Sequence, residues 1–150
     1  MQAPLRRALL AVTAASMAAA APLVLASPAA AATLIGIDNA LIDAKVPSRA
    51  RVDVTYLCDV PAGETSLNVS VEQTDPEDAA AVSFGSTRVA PSTIVCDGLL
   101  HTQTVVVQSK TYNWLPDVPA VVVTALSDIG SVPAASADAK KLVLTVAAAS

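Results

Sequence analysis

RARVDVTYLC, residues Arg49–Cys58, is the stretch that decides the fold. One set of alternate positions reads Ala50, Val52, Val54, Tyr56 and Cys58, and the other reads Arg49, Arg51, Asp53, Thr55 and Leu57. Successive side chains of a strand point to opposite faces, so this period of two predicts a strand with one buried face. The buried row ends on a cysteine. The chain holds one other, Cys96 in STIVCDG.

Upstream, residues 1–32 read as a signal peptide. Arg6 and Arg7 supply a short positive end, Ala8 to Ala26 an apolar middle, and Ala30, Ala31 and Ala32 a small-residue cleavage site before Thr33. Pro22 and Pro28 interrupt the apolar run, and alanine inserts into a bilayer less favourably than leucine, so no stable membrane anchor is expected after cleavage. The expected product is a single secreted domain, 33–150. The leader carries two of the nine basic residues and none of the thirteen acids, so its loss moves the net charge from −4 to near −6. That sign argues against nucleic acid, which is bound through clustered Lys and Arg; the remaining basic residues are scattered, with Lys140-Lys141 the only adjacent pair.

Downstream, alternation recurs. Leu67, Val69 and Val71 interleave with polar residues over Ser66–Gln73, which is expected to form a hairpin with Arg49–Cys58 across a Pro61–Gly63 turn. Asp75 before Pro76, with Glu77 and Asp78 in the next turn, predicts a short helix up to Ala81. The same acids lack the spaced ligand series and central glycine of a calcium loop. Asn68-Val69-Ser70 is formally a glycosylation acceptor, but alternation already accounts for Asn68 and Ser70 as the polar face of a strand, which is the reading preferred. Val121-Val122-Val123 suits a central strand covered on both sides.

About seven short strands separated by turn signals predict an all-β fold, a two-layer antiparallel Greek-key sandwich. In immunoglobulin order the strands are A at Thr33–Val46, B at Arg49–Cys58, C at Ser66–Gln73, D at Val82–Val89, E at Leu100–Ser109, F at Ala120–Leu126 and G at Lys141–Val146. B and E are then antiparallel neighbours, and the exit of B lies beside the approach to E. Cys58 and Cys96 therefore meet at one pole of one sheet, and an oxidising compartment permits a disulfide between them.

Tyr56-Leu57-Cys58, Val95-Cys96-Asp97-Gly98, His101 and an Ala/Val-rich strand near the C-terminus resemble the small secreted single-disulfide domains of actinobacteria. The likeness covers most of Ala50–Val146. Those domains are immunoglobulin-like and of unknown function, so the resemblance implies a fold and a compartment and no activity. Trp114 stands after both cysteines, unlike the strand-C tryptophan of antibody domains.

Chemistry is sparse. His101 is the only histidine, no nucleophile-elbow pattern accompanies it, and the five glycines form no phosphate-cradling loop. No enzyme, metal or cofactor is expected. Tyr112, Asn113 and Trp114 are the candidate binding residues, since exposed aromatics on a loop of a rigid scaffold give large contact area; Trp114 capping the open end of the core is the other reading. The expected function is a monomeric extracellular interaction module whose partner is a protein or envelope component. A small-ligand carrier, which requires a cleft, and a loop-presenting protease inhibitor are the alternatives.

Overall fold

The computed structural model describes residues 33–59, 63–128 and 136–148. The expected leader 1–32 and Pro61 of the expected turn lie outside the described residues. The alternating segments form β1 (Leu34–Ile42), β2 (Arg49–Leu57), β3 (Thr65–Thr74), β4 (Val82–Val89), β5 (Leu100–Gln108), β6 (Val118–Asp128) and β7 (Ser136–Val146). A single 3₁₀ turn, Pro91–Thr93, is the one helical element among the described residues. In β2 the row predicted to be buried is buried, with Ala50, Val52 and Val54 fully enclosed. Leu67, Val69 and Val71 do the same in β3.

The strands join one mixed sheet in the order β4-β3-β6-β7-β1-β2-β5. Neighbouring strands are antiparallel except β1 and β7, which pair in parallel through Leu41–Thr145 and Ile42–Val146. The purely antiparallel pairing expected from the sequence is corrected by this contact. Ahead of it β1 carries a bulge at Asp38, where the register against β2 steps from Ile37–Val54 to Asn39–Asp53. A bulge adds one residue to a strand and bends it. Before the bulge, side chains replace the ladder: Asp138 accepts from the Ile37 amide at 2.9 Å, and Lys140 donates to the Ile37 carbonyl.

The sheet curls until its two edges meet, so it is nearly a barrel. Gly85 of β4 bridges Ser109 just after β5, and the Thr87 hydroxyl donates to the Val106 carbonyl at 2.8 Å. A side chain at residue 85 would overlap the Gln108 backbone and stand 2.9 Å from Val107 Cγ1, so only glycine lets the edges approach this far. Closure removes most of the open edge that invites pairing with another chain.

Three further expectations are corrected. β3 pairs with β4 and β6, and β2 with β1 and β5, so Ser66–Gln73 is no hairpin partner of β2. The segment after Asp75 is two Asx turns in place of a helix: Asp75 Oδ1 accepts from the Glu77 amide at 2.8 Å and Asp78 Oδ1 from the Ala80 amide at 3.0 Å. Short acidic side chains there satisfy local amides that a helix would have used. Finally β6 is central yet covered on one face only, since Val122 is fully buried while Val121 and Val123 are exposed.

Candidate functional site

The disulfide pole is built as the expected pairing of β2 with β5 required. Cys58 follows β2, Cys96 precedes β5, and the two are bonded with their Cα atoms 4.7 Å apart. The β2–β5 ladder runs from Arg49–Gln108 to Leu57–Leu100, which delivers both chain ends to the same place. Gly98, at φ 76°, turns the chain so that its amide donates to the Cys58 carbonyl at 2.9 Å. The Tyr56 hydroxyl accepts from the Val95 amide at 3.2 Å. Outside this core, Leu34, Leu57 and Leu100 lie in one cross-strand row, with Leu34 and Leu100 exposed.

His101 also sits here, with Nε2 2.7 Å from Asp97 Oδ1. That hydrogen bond, seconded by the Leu99 amide, holds the Asp97 carboxyl below its ordinary value of 3.8. A depressed carboxylate contributes stability above its unfolded pKa, and the contribution is lost as pH falls through the folded pKa. Asp97→Asn is therefore expected to flatten the fall in urea midpoint between about pH 6 and about pH 3. A midpoint profile identical to that of the parent protein would remove this contact from the account.

The loop between β5 and β6 separates the three candidate binding residues. Trp114 is only 2% exposed and belongs to the core, so as a contact residue it is corrected: its ring has no outer surface to offer. Tyr112 is 58% exposed. Asn113 is exposed, while its carbonyl accepts from the Ser83 hydroxyl at 3.0 Å. The loop is braced on both sides. The Trp114 amide donates to the Pro47 carbonyl at 3.0 Å, and buried Gln73 accepts from the Leu115 amide at 2.7 Å while donating to the Leu115 and Val118 carbonyls at 2.9 and 3.0 Å.

Gln73 was not singled out by the sequence, where it reads as the polar end of an alternating strand. Its side-chain amide is the one group that satisfies all three loop atoms. Gln73→Glu would set a carboxylate against two carbonyls, and is expected to cost about 2–3 kcal/mol at neutral pH. Burial raises the pKa of such a carboxyl above its unfolded value. The penalty should thus be smallest at low pH and grow as pH rises through the unfolded value, which urea midpoints at about pH 4 and about pH 7 would read. An equal penalty at both would contradict this geometry.

The third region is the outer face of β4, β3, β6 and β7. The ladders set Ser86, Ser70, Val123 and Ala139 in one row, with Arg88, Asn68, Ala125 and Ala137 on one side of it and Phe84, Glu72, Val121 and Lys141 on the other. The small central residues leave a shallow concavity of about 230 Å³, lined by Ser86 and Arg88 of β4, Asn68 and Ser70 of β3, and Val123 and Ala125 of β6. Lys110 leans onto this face, 5.8 Å from the centre of the Phe84 ring and with Nζ 3.4 Å from the Ser86 hydroxyl. Three cations from distant parts of the chain thus share one face.

Elsewhere, three of the four described Lys and Arg side chains are engaged. Arg51 is bonded to Asp43 at 2.7 Å, Arg49 donates to Gln108, and Lys140 lies 3.8 Å from Asp138. Among the described residues Arg88, Lys110 and Lys141 make no salt bridge. The described residues also contain no group of three His, Cys, Asp or Glu side chains placed to hold a metal ion.

No family model matches the chain, and the search of curated proteins finds no relative. Among solved structures the chain is similar to Spo0M, the sporulation control protein of Bacillus subtilis, at 15% identity and a TM-score of 0.42. The match covers 77% of this chain and 50% of that one, so the chain spans about half the length of this neighbour.

Proposed function

We propose that the chain is exported, freed of its leader, and works outside the cell as a non-enzymatic, immunoglobulin-like module that acts by binding an envelope component. The observation that carries this reading is the outer sheet face, where Arg88 lines a shallow groove, Lys110 reaches Ser86 on its rim and Lys141 lines the neighbouring concavity, on a chain of net charge −4. A local field opposite to that of the whole molecule selects and orients a partner. The Cys58–Cys96 bond suits an oxidising compartment. The immunoglobulin-like reading draws on the strand order, in which β5-β2-β1 and β4-β3-β6-β7 correspond to the two layers of such a sandwich and β1 passes between them.

Its test is capture of envelope material by the protein produced from the full chain. Reversing charge with Arg88→Glu and Lys141→Glu should abolish capture, whereas Tyr112→Ala should leave it intact. The opposite pattern would overturn the reading and favour a loop-presenting inhibitor, the alternative supported by Tyr112 standing exposed on a braced loop. The carrier reading has less support: the concavities near Asn68, Pro119 and Tyr112 are open and of about 230, 270 and 210 Å³, below the ~300 Å³ and upward of ordinary ligand pockets.

A further inference from the structure

We infer that the groove on the outer face of β4, β3, β6 and β7 is a binding site for an acidic polysaccharide, its sugar carboxylates meeting Arg88, Lys110 and Lys141. This inference rests on the proposed binding role of that face and names its ligand class.

The chemistry follows the residues. Arg88, Lys110 and Lys141 face one carboxylate, Glu72, on the same surface, so the face is cationic. Ser70, Ser86 and Asn68 line the concavity with groups that both donate and accept hydrogen bonds, which is the pairing that sugar hydroxyls need. Val123 and Ala125 line its β6 side with apolar groups, suited to the carbon–hydrogen face of a sugar ring. Arg88 on β4 and Lys141 on β7 are three strand spacings apart, about 14 Å at ~4.8 Å each, and offset by four residues along the strands, about 13 Å more in that direction at ~3.3 Å each, so the cations are spaced for a chain of charged units and not for one small anion.

An acidic peptide fits less well. A peptide of extended form takes its affinity from an open strand edge. Here the β4 edge is occupied, since the Lys110 amide donates to the Phe84 carbonyl at 2.8 Å and the Thr111 hydroxyl to the Val82 carbonyl at 2.7 Å. The groove also lacks the deep side-chain pockets by which peptides are told apart. Nucleic acid would bring bases, for which Phe84 at the rim is the single aromatic ring on this face.

The test titrates the protein produced from the full chain with oligogalacturonate of defined length, using a neutral dextran oligomer as control. Binding of the first and not the second is expected, weakening as salt is raised because exposed charges are screened. Arg88→Ala should weaken binding by about tenfold, the loss of a charged hydrogen bond. Ser70→Glu should abolish it by placing a carboxylate in the groove, and Lys45→Ala, at an exposed position away from this face, should change nothing. Circular dichroism of each variant confirms that it folds. Absent binding, equal binding of dextran, or indifference to Arg88→Ala and Ser70→Glu would overturn the inference. Envelope capture that is lost on charge reversal while oligogalacturonate fails to bind would overturn the saccharide and leave the proposed binding face standing.

Discussion

Replacing Trp114 by alanine is expected to destabilise the protein by about 3–5 kcal/mol, the range found when a large buried aromatic ring is truncated. Trp114 is the bulkiest of the fully buried side chains, and it belongs to the single core cluster that holds the buried residues of β2, β3 and β6. Its removal takes away the transfer energy of the ring and leaves a cavity that the β-ladders around it cannot collapse to fill. The backbone on either side is tied to Pro47 and Gln73, which hinders relaxation further. Trp114→Phe should cost much less. The indole Nε1 is buried without a hydrogen-bond partner among the described residues, so the change discards an unpaired donor along with some ring volume. Urea unfolding followed by circular dichroism measures both. Equal midpoints for the alanine variant and the parent would mean that the ring is not in the core.

Reduction of Cys58–Cys96 should cost about 3–4 kcal/mol. The bond closes a loop with a sequence separation of 38, and in the chain-entropy model its loss frees the unfolded chain by that amount. Such a change is a large share of the 5–15 kcal/mol that stabilises a typical domain. The same bond fastens the β4–β5 crossover to the end of β2, next to Tyr56 and its contact with the Val95 amide. The reduced protein should therefore unfold at lower urea and with a steeper denaturant dependence, because its unfolded state is more expanded. A midpoint unchanged by reductant, in protein shown by thiol alkylation to have lost the bond, would refute the assignment of stability to this link.

Much of the architecture was legible because its causes are local. Alternation in Arg49–Cys58 and Ser66–Gln73 marks strands wherever their partners lie, and all seven expected strands are present, the last of them starting five residues earlier, at Ser136, than the expected Lys141. The adjacency of β2 and β5, and with it the bonding of the two cysteines, was also legible, since topology and a count of two admit one intramolecular pairing. Strand partners were harder to read. Ser66–Gln73 alternates as β2 does, but alternation says which side chains are buried, not which strand is adjacent. The three acids after Thr74 have helix-start chemistry, yet only the span between two strand ends decides that Asx turns fit instead.

The candidate site shows the same division more sharply. Tyr112, Asn113 and Trp114 are contiguous, so the sequence marks them; the fold sends the tryptophan inward and leaves the tyrosine outside. Arg88, Lys110 and Lys141 look scattered along the chain; only the β4-β3-β6-β7 register brings Arg88 and Lys141 to one surface, and the docking of the loop after β5 on Phe84 adds Lys110. What the sequence by itself determined was the all-β class, the buried faces of β2 and β3 and the cysteine pairing, because side-chain period and residue count act within a strand or admit one solution. What only the tertiary structure decided was strand order, the near-closure at Gly85 and the cationic face, because these depend on register between segments distant in the chain, which no local pattern encodes.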